Sequence, residues 1–242
     1  MAFPSAFTNL TLCACAHCAG SLLNVKSLSI YCRPHYRIDL LYLSRSLKNW
    51  QRRGITVPKQ ANVRYGATEV SPQEVQKAAE GLYQGGFFCC EAVMSAIRTA
   101  FQIDVPEGVI AMSSGMSIGV GRSGCMCGAL NGGIMAIGMF FGRTTQGGPK
   151  DPKVNRCMAM TKELHDWFRE ANAKHATCCR ILTRGFDMVS GEHKQQCIAF
   201  TGLCAGKVAE ILCRELEVKN LDSEPIKGLD KPFLPPHRRR KR

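Results

Sequence analysis

The residues best suited to chemistry lie in a glycine-rich stretch, residues 115–133. It holds seven glycines and two cysteines, Cys125 and Cys127, and an apolar segment follows it at once. Glycine allows backbone conformations that other residues avoid, and it lets a ligand or a second backbone approach closely. A thiol in such a stretch is more readily explained by chemistry than by packing. Twelve further cysteines are spread along the chain, so the central question is whether some of them meet at one redox or metal site.

Two further pairs of cysteines are adjacent in the chain, Cys89 with Cys90 and Cys178 with Cys179. Neighbouring cysteines seldom bridge each other, because disulfide geometry would strain the peptide between them. We therefore expect one member of each pair to do chemistry and the other to pack as a small apolar residue. Packing is also the favoured interpretation for the cysteines on predicted helical stripes: Cys157, Cys204 and Cys213.

A separate candidate metal site lies near the N-terminus. Cys15 and Cys18 are followed, after thirteen residues, by Cys32 and His35. Zinc binds four thiolate or imidazole ligands in a tetrahedron, and two close pairs at this spacing can supply them. The competing interpretation, which we favour, is a chance pattern in an N-terminal extension.

Several familiar sites are excluded by the sequence. Residues 119–124 match G-x-G-x-x-G, but no predicted strand precedes them and no acidic residue follows at the spacing that a dinucleotide site requires. The chain has no C-x-x-C-H sequence for haem attachment. It also lacks a Ser/His/Asp set, a paired-carboxylate motif and a P-loop. Three histidines lie on polar faces of predicted helices and are not placed beside a cysteine: His165, His175 and His193.

The charge of +13 is concentrated in the two ends of the chain. Residues 1–66 carry nine basic residues and one acidic residue, residues 67–230 carry seventeen and eighteen, and the last twelve residues add six basic ones. We therefore divide the chain into a basic, cysteine-containing extension (1–66), a helical domain (67–218) and a proline-rich basic tail (219–242). The extension is expected to be disordered or to arise from an early start site. Because the middle is neutral, nucleic-acid binding is disfavoured.

The apolar pattern predicts an all-α fold, a compact bundle of about six helices with irregular extensions at both ends. Ser71 with Pro72 and Glu74 is a capping signal for a helix that ends at Gly85. Apolar residues at helical spacing predict the others. They cover residues 89–101, 107–116, 127–141, 153–174 and 192–216, with a short helix near Cys178.

Residues 125–142 are uncharged and eighteen in number. They are rich in glycine and marginal in length for a membrane span, so we interpret them as a buried helix that could also pair two chains in a homodimer. No charged segment precedes the apolar N-terminal residues, as a secretory signal would require. Together with the many cysteines, this favours a cytoplasmic protein in which thiols do metal or redox work.

Four segments together resemble a known family. They are residues 86–93 (GFFCCEAV), residues 127–132 (CGALNG), residues 179–182 (CRIL) and Cys197 in the last helix. This order of motifs is similar to that of the C-GCAxxG-C-C family of redox-active proteins, over residues 71–217.

The resemblance implies a small helical domain with a redox role, often encoded beside transporter genes in bacteria. It implies that four cysteines form the catalytic or metal-binding set and that Gly128 and Gly132 contribute to cofactor binding. Neighbouring residues compete for three of the four positions, within the pairs 89/90, 178/179 and 197/204. The four cysteines are Cys89, Cys127, Cys179 and Cys197.

Two kinds of redox chemistry remain open for this set. Four thiolates from separate helices suit an iron–sulfur cluster, and they equally suit thiol/disulfide exchange. For exchange, the glycine-rich turn is expected to place Cys127 at a helix N-terminus, where the partial positive charge would lower its pKa. The alternatives are a non-catalytic carrier of a metal or a sulfur species, an accessory protein of a transporter, and a helical module whose cysteines only fill space. The expected partners are a redox partner protein or a membrane transporter.

Overall fold

The computed structural model describes residues 61–229 and 233–234, and α-helices dominate them. The all-α prediction is therefore confirmed. Two very short strands pair in parallel, β1 (Glu69–Val70) with β2 (Lys219–Asn220). The right-handed α-helices of the described residues are α1 (Pro72–Gln84), α2 (Cys89–Ala100), α3 (Gly108–Ala111), α4 (Gly128–Phe141), α5 (Pro152–Glu170), α6 (Cys179–Leu182) and α7 (Lys194–Leu216). A further short helical segment, Ser117–Val120, has left-handed backbone angles inside it.

The longest helix, α7, lies at the centre and packs against α1, α2, α4 and α5. Its buried side chains include Leu203, Val208 and Leu212, all at most 4% exposed. Aromatic rings fill the space between the helices. Phe168 of α5 meets Phe200 of α7 edge to face, with ring centroids 5.4 Å apart. This packing holds the N-terminal ends of α2, α4 and α7, where three of the four signature cysteines lie, in fixed positions.

The capping signals act as the sequence predicts. The Ser71 hydroxyl accepts a hydrogen bond from the Glu74 amide at 3.1 Å, and Pro72 is the first residue of α1. The Glu91 carboxylate of α2 accepts from the Phe88 amide at 2.7 Å. Both contacts satisfy backbone donors that a helix leaves free at its N-terminus. They therefore fix the start of α1 and the start of α2, where Cys89 is the first residue.

Two predicted helices differ from the observed ones. The prediction for residues 107–116 is wrong in part, because α3 ends at Ala111 and a 3₁₀ turn, Ser114–Met116, follows. The Ser113 hydroxyl donates to the Ile110 carbonyl at 2.6 Å, and serine in this role competes with the helical backbone. The predicted helix 153–174 ends at Glu170, because the Asn172 side chain bonds to both backbone groups of Ala176 and closes a turn.

Parts of both predicted extensions pack on the helical body. Asn62 donates from its backbone to the Phe140 carbonyl at 2.8 Å, and Tyr65 bridges to Ile103. After α7, strand β2 and the buried Ile226 continue the body beyond residue 218. No alternating pattern in the sequence predicts this small sheet, because each strand has only two residues. Residues 1–60, with the zinc-knuckle pattern, lie outside the described residues.

Among the described residues, α7 is the one helix that is long and apolar enough to cross a membrane. In its most apolar window, 72% of the residues are buried inside the protein. The buried core helix of a globular protein has the same length and apolar composition. The apolar helix α4 has fourteen residues, and most of its side chains are buried, as predicted.

Candidate functional site

The site is built around Cys89, the first residue of α2, which is 9% exposed. Burial raises the pKa of the Cys89 thiol, since a thiolate loses solvation there. Hydrogen bonds from the backbone of Ile118, from the backbone of Cys90 and Cys89 itself, and from the Ser117 side chain act in the opposite direction. The Cys89 sulfur therefore lies in a pocket of donors that can stabilise a negative charge.

Gly128, at the start of α4, forms one wall of this pocket. A Cβ atom built at position 128 would overlap the Cys89 sulfur and would lie 3.0 Å from the Ser117 Cα. Gly132, one turn later, packs against α2, since a Cβ there would lie 2.8 Å from the Cys90 carbonyl oxygen. The structure thus places Gly128 at the Cys89 sulfur and Gly132 at the contact between two helices. Their assignment to cofactor binding stays a prediction.

Cys127 precedes α4 directly as its N-cap residue, so its predicted place at a helix N-terminus is confirmed. The predicted lowering of its pKa is wrong. The Leu130 amide favours the Cys127 thiolate, but burial at 7% exposure outweighs it and raises the pKa well above 9.0. The neighbouring Cys89 and Cys204 thiols act in the same direction. Loss of solvation therefore outweighs the helix dipole at this position.

Cys179 reaches the site through an antiparallel backbone bridge between residues 125–127 and 177–179. Met126 and Cys178 lie opposite each other in this bridge. The Cys179 amide donates to the Cys125 carbonyl at 2.5 Å, and the Cys127 amide donates to the Thr177 carbonyl at 2.7 Å. Burial, and then the charge of Cys89, raises the pKa of Cys179 to about 11.

Cys197 lies in the first turn of α7 and is paired with a residue that the sequence did not single out. The Tyr83 phenol donates a hydrogen bond to the Cys197 sulfur. Burial raises the pKa of Cys197 to about 12, with Cys89 and Cys179 adding to the shift, and the Tyr83 bond opposes it. Burial also raises the pKa of Tyr83 above its usual value, so this phenol keeps its proton over the ordinary pH range.

The raised pKa values of the other cysteines in the site have one cause in common besides burial, which is Cys89. A charge on Cys89 raises the pKa values of Cys127, Cys179 and Cys197, and also of Cys204, which is two turns after Cys197 in α7. Such coupling requires short separations in a poorly solvated environment. The four signature cysteines, distant in sequence, therefore lie in one neighbourhood, with Cys89 at its centre.

The glycine-rich loop closes over this neighbourhood as a left-handed turn. Five successive residues, 118–122, have φ between 53° and 68°. Left-handed turns of L-residues are disfavoured by about 1–2 kcal/mol per residue, and two of these residues, Ile118 and Val120, are β-branched. The turn directs the Ile118 backbone at the Cys89 sulfur. Strain of this kind is typical of functional sites, where the surrounding structure maintains it.

One protein family matches this chain over about half of its length. The family described as "Putative redox-active protein (C_GCAxxG_C_C)" matches residues 87–211. The chain belongs to this family. Neither the curated proteins nor the solved structures gave a match. The matched residues of this C-GCAxxG-C-C protein run from the residues before α2 into α7 and contain all four signature cysteines.

An iron–sulfur cluster would be held in this C-GCAxxG-C-C protein by three or four closely grouped thiolates. In the part of the chain that the structure describes, no three His, Cys, Asp or Glu side chains are grouped to hold a metal ion. All ten described cysteines are free thiols.

Four of the other cysteines separate into two groups. Cys90 is fully buried, and its sulfur lies 3.8 Å from that of Met135, while Cys178 donates to the Gly124 carbonyl at 3.0 Å. Each is the packing neighbour of a signature cysteine. Cys157 and Cys213 have raised pKa values through burial, with influences from residues outside the site. Sequence reasoning missed Tyr83 and Ser117, because nothing in the spacing of a tyrosine or a serine identifies the sulfur that it contacts.

Proposed function

We propose that this protein carries out reversible thiol/disulfide exchange, with Cys89 and Cys179 as its principal couple. The observation that carries the proposal is that both residues contact one short loop segment, residues 118–119. The Ile118 backbone bonds to the Cys89 sulfur, and a Cβ at the next residue, Gly119, would lie 2.7 Å from the Cys179 Cβ. The two side chains therefore approach each other across this segment.

The chemistry is a two-electron exchange with a disulfide. The partly exposed Cys179 attacks a disulfide substrate as the thiolate, one substrate sulfur leaves as a thiolate, and a mixed disulfide forms. Cys89 then attacks the Cys179 sulfur, and the second substrate sulfur leaves. The protein has gained a Cys89–Cys179 disulfide, and the substrate has gained two electrons and the two thiol protons.

The pocket of donors at Cys89 supports the second step. The Cys89 sulfur must pass through a thiolate, which burial disfavours. Backbone amides and the Ser117 hydroxyl aimed at the sulfur offset part of that cost, as preorganised dipoles do in other active sites. Cys197, with its proton-holding neighbour Tyr83, lies beside both members of the couple and can exchange a proton with them.

Peptide mapping tests the couple. The reduced full-length chain is exposed to one equivalent of 2-hydroxyethyl disulfide without oxygen, quenched in acid, alkylated and digested. We expect two thiols to be lost per chain and a Cys89–Cys179 peptide to form. C89S should abolish this disulfide. C213S is the matched control, because Cys213 is also buried but lies outside the site, and it should leave the yield unchanged.

Two outcomes would contradict the proposal. Equal loss of thiols in C89S would exclude Cys89 from the couple. Stoichiometric iron and acid-labile sulfide in oxygen-free protein, with visible absorption that C89S removes, would identify the same thiols as ligands of an iron–sulfur cluster.

The proposed thiol exchange also favours one kind of partner and one kind of cellular compartment. Thiol exchange needs a redox partner with a reactive disulfide or dithiol, and we propose a redox partner protein. Many free thiols favour a reducing compartment such as the cytoplasm. A membrane transporter as partner and homodimer formation stay predictions from the sequence.

A further inference from the structure

Cys125 is the exposed cysteine of the described part of the chain, and the function proposed above does not use it. It lies opposite Cys179 in the backbone bridge of residues 125–127 and 177–179, because the Cys179 amide donates to the Cys125 carbonyl. The Cys125 amide donates to the Gly119 carbonyl instead. Residues directly opposite each other in an antiparallel pair have Cα atoms about 4.5–5.5 Å apart. Disulfides span Cα separations of roughly 4.4–6.8 Å, so this pair meets the distance requirement for a disulfide.

The direction of the side chains also fits. Alternate residues of an extended segment point to the same face, so Cys125 shares a face with Cys127, and Cys179 opposite it shares that face too. Met126 and Cys178 occupy the other face. Cys127 is buried beside Cys89, whereas Cys125 is exposed. Exposure decreases along the three thiols, from the exposed Cys125 through the partly exposed Cys179 to the buried Cys89.

The loop geometry fixes the outer part of this series. A Cβ built at Gly119 would lie 2.7 Å from the Cys179 Cβ and 2.9 Å from the Cys125 backbone nitrogen. Gly119, a residue of the left-handed turn that contacts Cys89, therefore lies directly against both Cys179 and Cys125. Arg180 adds a further link, since its guanidinium donates to the Ser123 carbonyl at 2.6 Å.

We propose that Cys125 is the relay thiol through which protein-sized disulfides exchange electrons with the buried couple. The proposal rests on the function proposed above and names its partner class, a protein with an accessible disulfide. A small disulfide can approach the partly exposed Cys179 directly, whereas a folded protein makes first contact at the exposed sulfur.

Three exchange steps carry two electrons outward, from the buried couple to the partner disulfide. The Cys125 thiolate attacks one sulfur of the partner disulfide, and the other partner sulfur leaves as a thiolate. Cys179 attacks the Cys125 sulfur, which releases the partner's second thiolate and forms a Cys125–Cys179 disulfide. Cys89 then attacks the Cys179 sulfur, and Cys125 leaves as a thiolate. Two protons from Cys89 and Cys179 pass through solvent to the reduced partner, and Cys125 ends as it began.

The experiment compares two oxidants on the full-length chain. Reduced wild type and C125S are mixed with an oxidised thioredoxin-type protein or with cystamine, quenched in acid at intervals and mapped for the Cys89–Cys179 disulfide. We expect C125S to slow the reaction with the protein disulfide by about tenfold and to change the reaction with cystamine by less than about twofold. C157S is the matched control, because Cys157 is partly exposed on α5, outside the site. It should react as wild type with both.

A trapping variant tests the intermediate. In C89S the last step is blocked, so the protein oxidant should leave a Cys125–Cys179 disulfide, and far-ultraviolet circular dichroism checks that the variants are folded. Equal rates for wild type and C125S with the protein oxidant would overturn the relay. If wild type forms no Cys89–Cys179 disulfide with either oxidant, the proposed function fails. A Cys125–Cys179 disulfide in that same sample would still support the outer pair.

Discussion

Gly128 lies directly against the sulfur of Cys89, so closely that a Cβ at position 128 would overlap that sulfur. The contact joins the first residue of α2 to the first residue of α4. It explains why the residue after Cys127 has no side chain. It also makes the position of the Cys89 sulfur sensitive to one methyl group.

G128A should therefore disturb the site. The added methyl must displace the Cys89 sulfur or the turn at Ser117, and overpacking of this kind destabilises by about 1–3 kcal/mol. We expect a lower urea midpoint and at least a partial loss of the Cys89–Cys179 disulfide in peptide maps. G138A is the matched control in the same helix, where a Cβ meets nothing within 4 Å. It should stabilise by about 0.5–1 kcal/mol, since alanine favours helices. Equal stability of the two variants would contradict this account.

Gly119 gives a second test, directed at Cys179. A Cβ there would lie 2.7 Å from the Cys179 Cβ and 2.8 Å from the Gly124 Cα, in a backbone with φ of 67°. G119A should cost about 2–4 kcal/mol from overpacking and left-handed strain together, measured by urea unfolding.

Its control is G121A, which has nearly the same φ of 60° but only one contact, at 3.9 Å from the Gly115 carbonyl oxygen. That variant should lose about 1–2 kcal/mol, the strain alone. If both variants lose the same amount, the contact with Cys179 contributes nothing to stability.

The helices could be predicted from the sequence where local signals decide them. The Ser71 cap with Pro72, and the apolar periodicity of α4 and α7, act through contacts within a few residues. The break after α3 was missed, because the Ser113 hydroxyl competes with the helix only in the folded geometry. Strand β1 pairs with β2 across about 150 residues, and no local pattern reports such a contact.

The order of the motifs was enough to predict the four signature cysteines, but it was not enough to predict their chemistry. Helix-terminus reasoning favours a thiolate at Cys127, and burial reverses that expectation. The depth of a side chain depends on packing between distant segments, here between α4 and α7. The Tyr83 contact with Cys197 has the same origin, because it joins the last turn of α1 to the first turn of α7.

Y83F should weaken the thiolate of Cys197. The Tyr83 phenol donates to the Cys197 sulfur and lowers its pKa, and a hydrogen bond to a charged group contributes about 1.5 kcal/mol. Alkylation of Cys197 by iodoacetamide at a fixed pH below 11 should become about tenfold slower, followed by mass spectrometry of its peptide. Y65F is the control, because the Tyr65 hydroxyl bonds to the Leu216 carbonyl, outside the site. An unchanged rate in Y83F would show that the phenol does not act on this sulfur.

Alkaline pH should destabilise the folded protein when all thiols are kept reduced. Burial raises the pKa of Cys179 to about 11 and that of Cys197 to about 12, from 9.0 for an exposed thiol. The folded state therefore holds these protons more tightly than the unfolded state. This contribution to stability is fully present below pH 9 and is lost as the pH rises through the folded pKa values, from about 9 to 12.

The urea midpoint in the presence of a reductant should accordingly be lower at pH 10.5 than at pH 7.5. C197S removes one of the raised thiols, so its midpoint should fall less than that of wild type over the same interval. Because tyrosine and lysine side chains ionise in both proteins, the difference between the two decreases in urea midpoint reports the contribution of the Cys197 thiol. Identical falls would mean that Cys197 is as well solvated in the folded chain as in the unfolded one, and that its burial beside Cys89 does not hold in solution.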